Sequence, residues 1–211
     1  MIKMKIITIS RQFGSGGREM GKRMSDVLGW DYYDREIIER LSSSEGLDQE
    51  YVSRVLSNHE WNTLPMTFRS SFSQDQYTSG VKTALLLSQR KIIEDIAAAG
   101  NDCIIVGRDA DIILSDYKPF RIFVCNDMDA RVARCARYEE KKPEGERLSE
   151  RQIKKYVKKI DKNRSQTREI LTGKEWGDST SFDITVNTQN WNIKKLAAAM
   201  SKLALGWFEE E

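Results

Sequence analysis

A chain of 211 residues is long enough to bury a substantial core and near the size at which one domain suffices, so the expectation is a single domain over residues 1–211 carrying insertions. With 39% hydrophobic and 31% charged residues the composition is neither that of a disordered chain nor that of a membrane protein, and no apolar stretch approaches a spanning segment. The net charge of +2 argues against a general nucleic-acid binder.

The first nine residues interleave basic and apolar side chains without the apolar centre or cleavage site of a signal peptide, and Lys5 to Ile9 reads as a β-strand. A glycine-rich stretch follows. Arg18 to Leu28 then sets Met20, Met24, Val27 and Leu28 at helical spacing, with Gly29 as the stop signal. Asp31 to Tyr33 is a short second strand, and Glu36 to Leu41 and Asp48 to Ser57 read as helices. Residues 59–79 show no clear period; such a stretch within a compact domain marks an insertion of functional interest. A long helix is expected from Ser79 to Ala99, before Gly100.

Asp102 to Val106 and Arg121 to Val124 are apolar runs of the kind that form buried parallel strands. Helical patterns cover Asp129 to Glu140 and Ser149 to Thr172, the latter opened by a capping box of Ser149 and Gln152. A last strand, Phe182 to Asn187, precedes a helix from Ile193 to Trp207. Five short strands separated by helices predict an α/β fold, a five-stranded parallel sheet with helices on both faces. Ligands bind such sheets outside the carboxyl ends of the strands, here Ser10 to Gly17, Asp34-Arg35, Gly107 to Asp109, Asn126-Asp127 and Asn187-Thr188.

Between the first strand and first helix, Gly14-Ser15-Gly16-Gly17-Arg18-Glu19 places glycines where backbone N–H groups can cradle a phosphate at a helix start. The segment departs from the regular Gly-x-x-x-x-Gly-Lys-Ser/Thr pattern. Without a gap, Gly17 stands at the lysine position and Arg18 at the Ser/Thr; with one residue inserted, Gly17-Arg18-Glu19 replaces Gly-Lys-Ser/Thr. Arg18 is the nearest substitute cation, with Arg11 and Lys22 in reserve.

The runs ITISRQFGSGGREMGKRM, YYDREII and IIVGRDADIIL, the Asp161/Arg164 pair, Trp176-Gly177-Asp178 and FDITVNT together resemble the cytidylate kinase-like family across nearly the whole chain. The resemblance implies a P-loop nucleoside-monophosphate-kinase fold, with a monophosphate-binding insertion at about 36–80 and an arginine-rich lid at about 131–150. It implies ATP and Mg2+ as cofactors, with Asp34 and Glu19 near the metal without binding it directly, and small-molecule nucleotides as partners. By matching position, Arg40, Arg108, Asp109, Asp161 and Arg164 bind the monophosphate. Arg131 and Arg134 close over the phosphates and act in catalysis with Arg18 and Asp34. Two positions differ from cytidylate kinases: Val157 replaces an arginine, and Arg35 replaces a serine. The implied acceptor is CMP or a related pyrimidine nucleotide.

Independently of that resemblance, Ile153, Val157, Ile160, Arg164 and Leu171 share one helical stripe, and an arginine there needs a partner. Asp161 is in reach, so a ligand contact and a structural ion pair both remain open. Residues 131–168 hold 14 Lys+Arg against 6 Asp+Glu, which suits either a strongly anionic ligand or a solvated helix face. Cys103, Cys125 and Cys135 lack metal spacing and read as thiols of a reducing, cytoplasmic compartment. His59 is assigned no role. Trp61, Phe68, Phe72, Tyr77, Trp176 and Trp207 read best as packing residues. No membrane or nucleic-acid partner is expected, and the oligomeric state stays open, a homodimer included. The rival to a working kinase is a nucleotide-binding regulatory or partner protein that kept the fold.

Overall fold

The structure, a computed structural model, describes residues 4–49, 52 and 72–210. The chain divides into two compact units, Met1–Tyr33 with Gly100–Glu211, and Asp34–Ala99.

The first unit holds the sheet. Its strands are β1 (Ile6–Arg11), β2 (Asp31–Tyr33), β3 (Cys103–Val106), β4 (Phe120–Cys125) and β5 (Ile184–Asn187), in the spatial order β2-β3-β1-β4-β5. Every pairing is parallel, with Ile7 opposite both Ile104 and Phe120. The continuous apolar runs of β1, β3 and β4 are buried on both sides, as a parallel sheet with helices on both faces requires.

On one face lie α1 (Gly17–Leu28) and α7 (Ile193–Glu210). Met20 and Met24 of α1 and Leu196, Ala197, Met200 and Ala204 of α7 enclose Ile7, Ile9, Ile122 and Val124. Phe123, between those two β4 residues, turns to the opposite face, where Trp176 meets it edge-on at 5.4 Å and Phe182 packs tilted against it at 5.0 Å. Trp207 packs on Phe120 at 5.3 Å, so Trp176 and Trp207 both pack as expected. The short α4 (Ala110–Ile113) follows β3, and α5 (Met128–Glu139) and α6 (Glu150–Thr172) follow β4. The Ser149/Gln152 capping box forms as expected, the Ser149 N–H donating to Gln152 Oε1 at 2.8 Å.

Two expectations need correction. Helix α3 (Phe72–Ala98) begins well before Ser79, so residues 72–79 belong to a helix and not to the irregular insertion. The mixed polar and aromatic sequence there hides any apolar stripe, which is why periodicity misses it. On α6, Leu171 is 45% exposed while Arg168, absent from the expected stripe, is 1% exposed. Val157 and Arg168 lie eleven residues apart, three full turns, and therefore share a face. His59, Trp61, Phe68 and most of the helix expected at 48–57 lie outside the described residues; the side chains of Phe72 and Tyr77 do so too.

The second unit contains α2 (Arg35–Glu45) and α3, joined by a cluster of Ile38, Leu41, Val52 and Leu85.

Candidate phosphate-binding site

The turn between β1 and α1 is held through its carbonyl groups and through the N–H groups of Gln12, Phe13 and Ser15, which donate to Val124 O, Asp161 Oδ1 and Gln12 O. Gln12 O accepts from the Ser15 hydroxyl at 2.9 Å, and Ser15 O accepts from the Thr188 hydroxyl at 2.6 Å. Arg11 O accepts from Arg164 Nη1 at 2.7 Å, and Phe13 O from Arg131 Nε at 3.0 Å. The N–H groups of Gly14, Gly16 and Gly17, by contrast, find no acceptor among the described residues. A helix start whose N–H groups remain unsatisfied while its carbonyls are tied down is an anion cradle.

Glycine is required there on two counts. Gly14 and Gly16 have φ of 78° and 92°, in the left-handed region. A Cβ on Gly14 would come within 2.9 Å of Arg131 O, and one on Gly16 within 3.2 Å of Arg134 Cζ. The Arg134 guanidinium thus lies directly against the cradle. Its Nη1 pairs with Glu19 Oε2 at 2.9 Å, while Glu19 Oε1 accepts from Arg23 Nε at 3.0 Å. Ser15 is fully buried with its hydroxyl committed to Gln12, and Arg18 is exposed on the first turn of α1.

Asp161 is the centre of a second set of contacts. Its Oδ1 accepts from the Phe13 N–H at 2.8 Å, and its Oδ2 from Arg131 Nη2 at 2.6 Å; Arg164 Nη1 is 3.5 Å from Oδ1. Burial pushes the Asp161 carboxyl above the usual carboxylate range against the pull of the Phe13 N–H and the two arginines. The Phe13 ring packs beside Val132, Ile153 and Val157, edge-on to Tyr156 at 5.3 Å, with the Arg164 guanidinium 5.7 Å from its centre. The ion pair within α6, one of the two alternatives left open by the spacing, is present at the longer distance of 3.5 Å. Asp161 has its shorter contact with α5 instead.

At the end of β3, Gly107, Arg108 and Asp109 all adopt positive φ, 74°, 63° and 52°. For the two non-glycine residues such a conformation costs of order 1–3 kcal/mol each, a strain typical of functional turns. A Cβ on Gly107 would collide with the Arg11 guanidinium, which links this turn to the β1 loop. Behind it, Arg168 Nη1 meets Asp111 Oδ2 at 2.6 Å in a pair almost fully removed from solvent.

Asp109 is raised to about 6, first by burial and then by the neighbouring Asp111, with Arg168, Arg11 and Arg108 opposing. A carboxyl whose folded value lies above its unfolded value contributes stability that is fully present below about pH 4 and lost as pH rises through about 6. The stability of the protein relative to its Asp109→Asn variant should therefore fall by on the order of 2 kcal/mol across that window. Urea unfolding of both proteins at intervals from pH 4 to 7 measures it, and a difference that stays flat with pH would contradict the assignment.

Asp34 and Arg40 belong to the second unit. Asp34 is buried at the start of α2, its N–H donating to Glu36 Oε2 at 3.0 Å, and Arg40 is exposed along that helix. Sequence reasoning gave no role to Phe13, Asp111 or Arg168, and named Thr188 only as part of a strand end. Among the described residues no group of three His, Cys, Asp or Glu side chains gathers to hold a metal ion. Both Glu19 oxygens are taken by guanidinium groups, so the loop's carboxylate does not fit a magnesium ion in this arrangement.

A parallel sheet of order β2-β3-β1-β4-β5, with a glycine cradle between β1 and α1, defines a P-loop kinase fold of the nucleoside-monophosphate-kinase type. The model of the cytidylate kinase-like family matches residues 6–190, and the chain belongs to that family. Among solved structures, an uncharacterized protein from Eubacterium ventriosum is 22% identical, covering 95% of this chain and 98% of its own at a TM-score of 0.65. A shikimate kinase from Acinetobacter baumannii, in complex with shikimate, is 10% identical over 96% and 94% of the two chains, at 0.53. The thymidylate kinase of Candida albicans is 13% identical over 99% and 94%, at 0.50. These likenesses are of fold. No curated protein matches the sequence. No helix among the described residues is long and apolar enough to cross a membrane.

Proposed function

We propose that the protein is a nucleotide kinase that transfers the γ-phosphoryl group of ATP to a nucleoside monophosphate, CMP or a related pyrimidine nucleotide. The observation that carries this reading is the cradle of unsatisfied Gly14, Gly16 and Gly17 N–H groups with the Arg134 guanidinium against it. An acceptor phosphate oxygen forms a bond to the γ-phosphorus as the bond to the β,γ-bridging oxygen breaks, and ADP leaves. Such a transfer asks the protein chiefly to position phosphates and to place positive charge over the group in flight.

In this reading residues 14–19 hold the ATP phosphates, and Arg134, assisted by Arg18, stabilises the transferring group; Arg131, expected to share that role, is buried with its guanidinium taken up by Phe13 O and Asp161, and holds the loop instead. Arg108 and Asp109, Arg164 with Asp161, and Arg40 serve the acceptor, and Asp34 stands near the nucleotide's magnesium. When bound, magnesium neutralises phosphate charge; it would arrive with ATP, because the loop's own carboxylate does not fit it. Residues 131–150 act as the lid. Three free cysteines suit a cytoplasmic enzyme.

The second reading, a nucleotide-binding regulatory protein, is favoured by one observation: the loop has Gly17-Arg18 where working P-loops carry Lys-Ser/Thr. Incubation with ATP, magnesium and a panel of monophosphates separates the two. ADP release dependent on one monophosphate is the expected result, and nucleotide binding without any turnover would select the regulatory reading.

A further inference from the structure

Asp161 is assigned to the acceptor by family position, yet its oxygens are used elsewhere. Oδ1 receives the Phe13 N–H at 2.8 Å and Oδ2 receives Arg131 Nη2 at 2.6 Å, while Nε of the same arginine donates to Phe13 O at 3.0 Å. The result is a closed ring in which one carboxylate and one guanidinium, from α6 and α5, grip both the N–H and the C=O of a single loop residue. Arg131 is almost wholly buried and Asp161 nearly so, and the Phe13 ring is fixed among Val132, Ile153 and Val157. Arg164 adds a third hold on the loop through Arg11 O.

We infer that Asp161 is a positioning residue for the phosphate loop: paired with Arg131, it sets the orientation of the Phe13 peptide and so of the Gly14, Gly16 and Gly17 N–H groups that receive the donor's phosphates. This rests on the phosphate-binding reading of the loop and moves Asp161 from the acceptor side to the donor side of it. In regular P-loops the lysine reaches the phosphates and the following hydroxyl holds magnesium; this loop, which lacks that pair, is gripped from outside by two neighbouring helices. Preorganised N–H groups stabilise charge because they need no reorientation when it arrives.

The test uses the full-length protein and two probes, ATP with magnesium and inorganic tripolyphosphate, which has no base or ribose to be read. Asp161→Asn retains an acceptor for Phe13 but loses the ion pair. Arg131→Lys retains the charge but loses the two-pronged grip. Calorimetric titration should show tripolyphosphate and ATP binding weakened roughly 10- to 100-fold in each variant, with CMP affinity changed less than about threefold. Melting curves run in parallel identify a general loss of fold. Weakened CMP binding with tripolyphosphate affinity intact would overturn the inference in favour of a direct acceptor contact. Losses in all ligands that track a lowered melting temperature would overturn it in favour of a purely structural ring. If the wild type binds tripolyphosphate in an Asp161-dependent way but not ATP, the positioning role stands and the nucleotide reading falls. Absence of any tripolyphosphate binding by the wild type defeats both.

Discussion

Replacing Arg168 by alanine is expected to lower the unfolding free energy by about 3–5 kcal/mol, because it strands Asp111 as an uncompensated charge in a dry site. Arg168 and Asp111 are 1% and 2% exposed in their side chains and 2.6 Å apart, and the guanidinium also lies 5.3 Å from the Phe182 ring centre. Little water reaches either group to replace the lost partner. Removing both charges together, as Arg168→Met with Asp111→Leu, should recover most of the loss, since apolar replacement of a buried pair is often neutral. Urea unfolding of the single and double variants tests this. A single variant within 1 kcal/mol of wild type would show that the pair contributes nothing to stability.

The second large effect concerns turnover. Arg134→Ala should reduce kcat by roughly 100- to 1,000-fold, the usual loss when one charge-stabilising donor is removed from a phosphoryl or acyl transfer site. Its guanidinium lies where a Gly16 Cβ would touch it, so it is already placed over the cradle. The fold should hardly change, because its ion pair with Glu19 is partly exposed and such pairs contribute little. Arg18→Ala should cost less than Arg134→Ala, since Arg18 is exposed on the first turn of α1. Steady-state kinetics alongside melting curves on both variants decide it. A larger loss from Arg18→Ala would transfer the missing lysine's role to Arg18.

The three central strands β1, β3 and β4 were legible because they are short, largely apolar runs lying between turn signals and helical patterns. The glycine loop was legible for the same reason, lying between a clear strand and a clear helix. What remained hidden was long-range pairing. Asp161 and Arg164 are three apart on one helix, and spacing alone leaves a mutual ion pair and a ligand contact equally open. Nothing local reveals that Arg131, thirty residues earlier, lies closer to Asp161. Arg168 and Asp111 were missed likewise: a charged residue read in isolation is assigned to the surface, and only the fold reveals a partner 57 positions away. The stripe on α6 failed for a smaller reason, a phase drift along a 23-residue helix that brings Arg168 to the buried side and leaves Leu171 exposed.

The central claim is that the cradle between β1 and α1 supports phosphoryl transfer between nucleotides. It is tested most directly by following γ-labelled ATP in the presence of magnesium and each pyrimidine and purine monophosphate, with product separation by chromatography. The account predicts that label appears in one nucleoside diphosphate, CDP or a related pyrimidine product, and that Arg134→Ala suppresses its appearance. Label that remains in ATP with every acceptor, or is released only as inorganic phosphate, would contradict it.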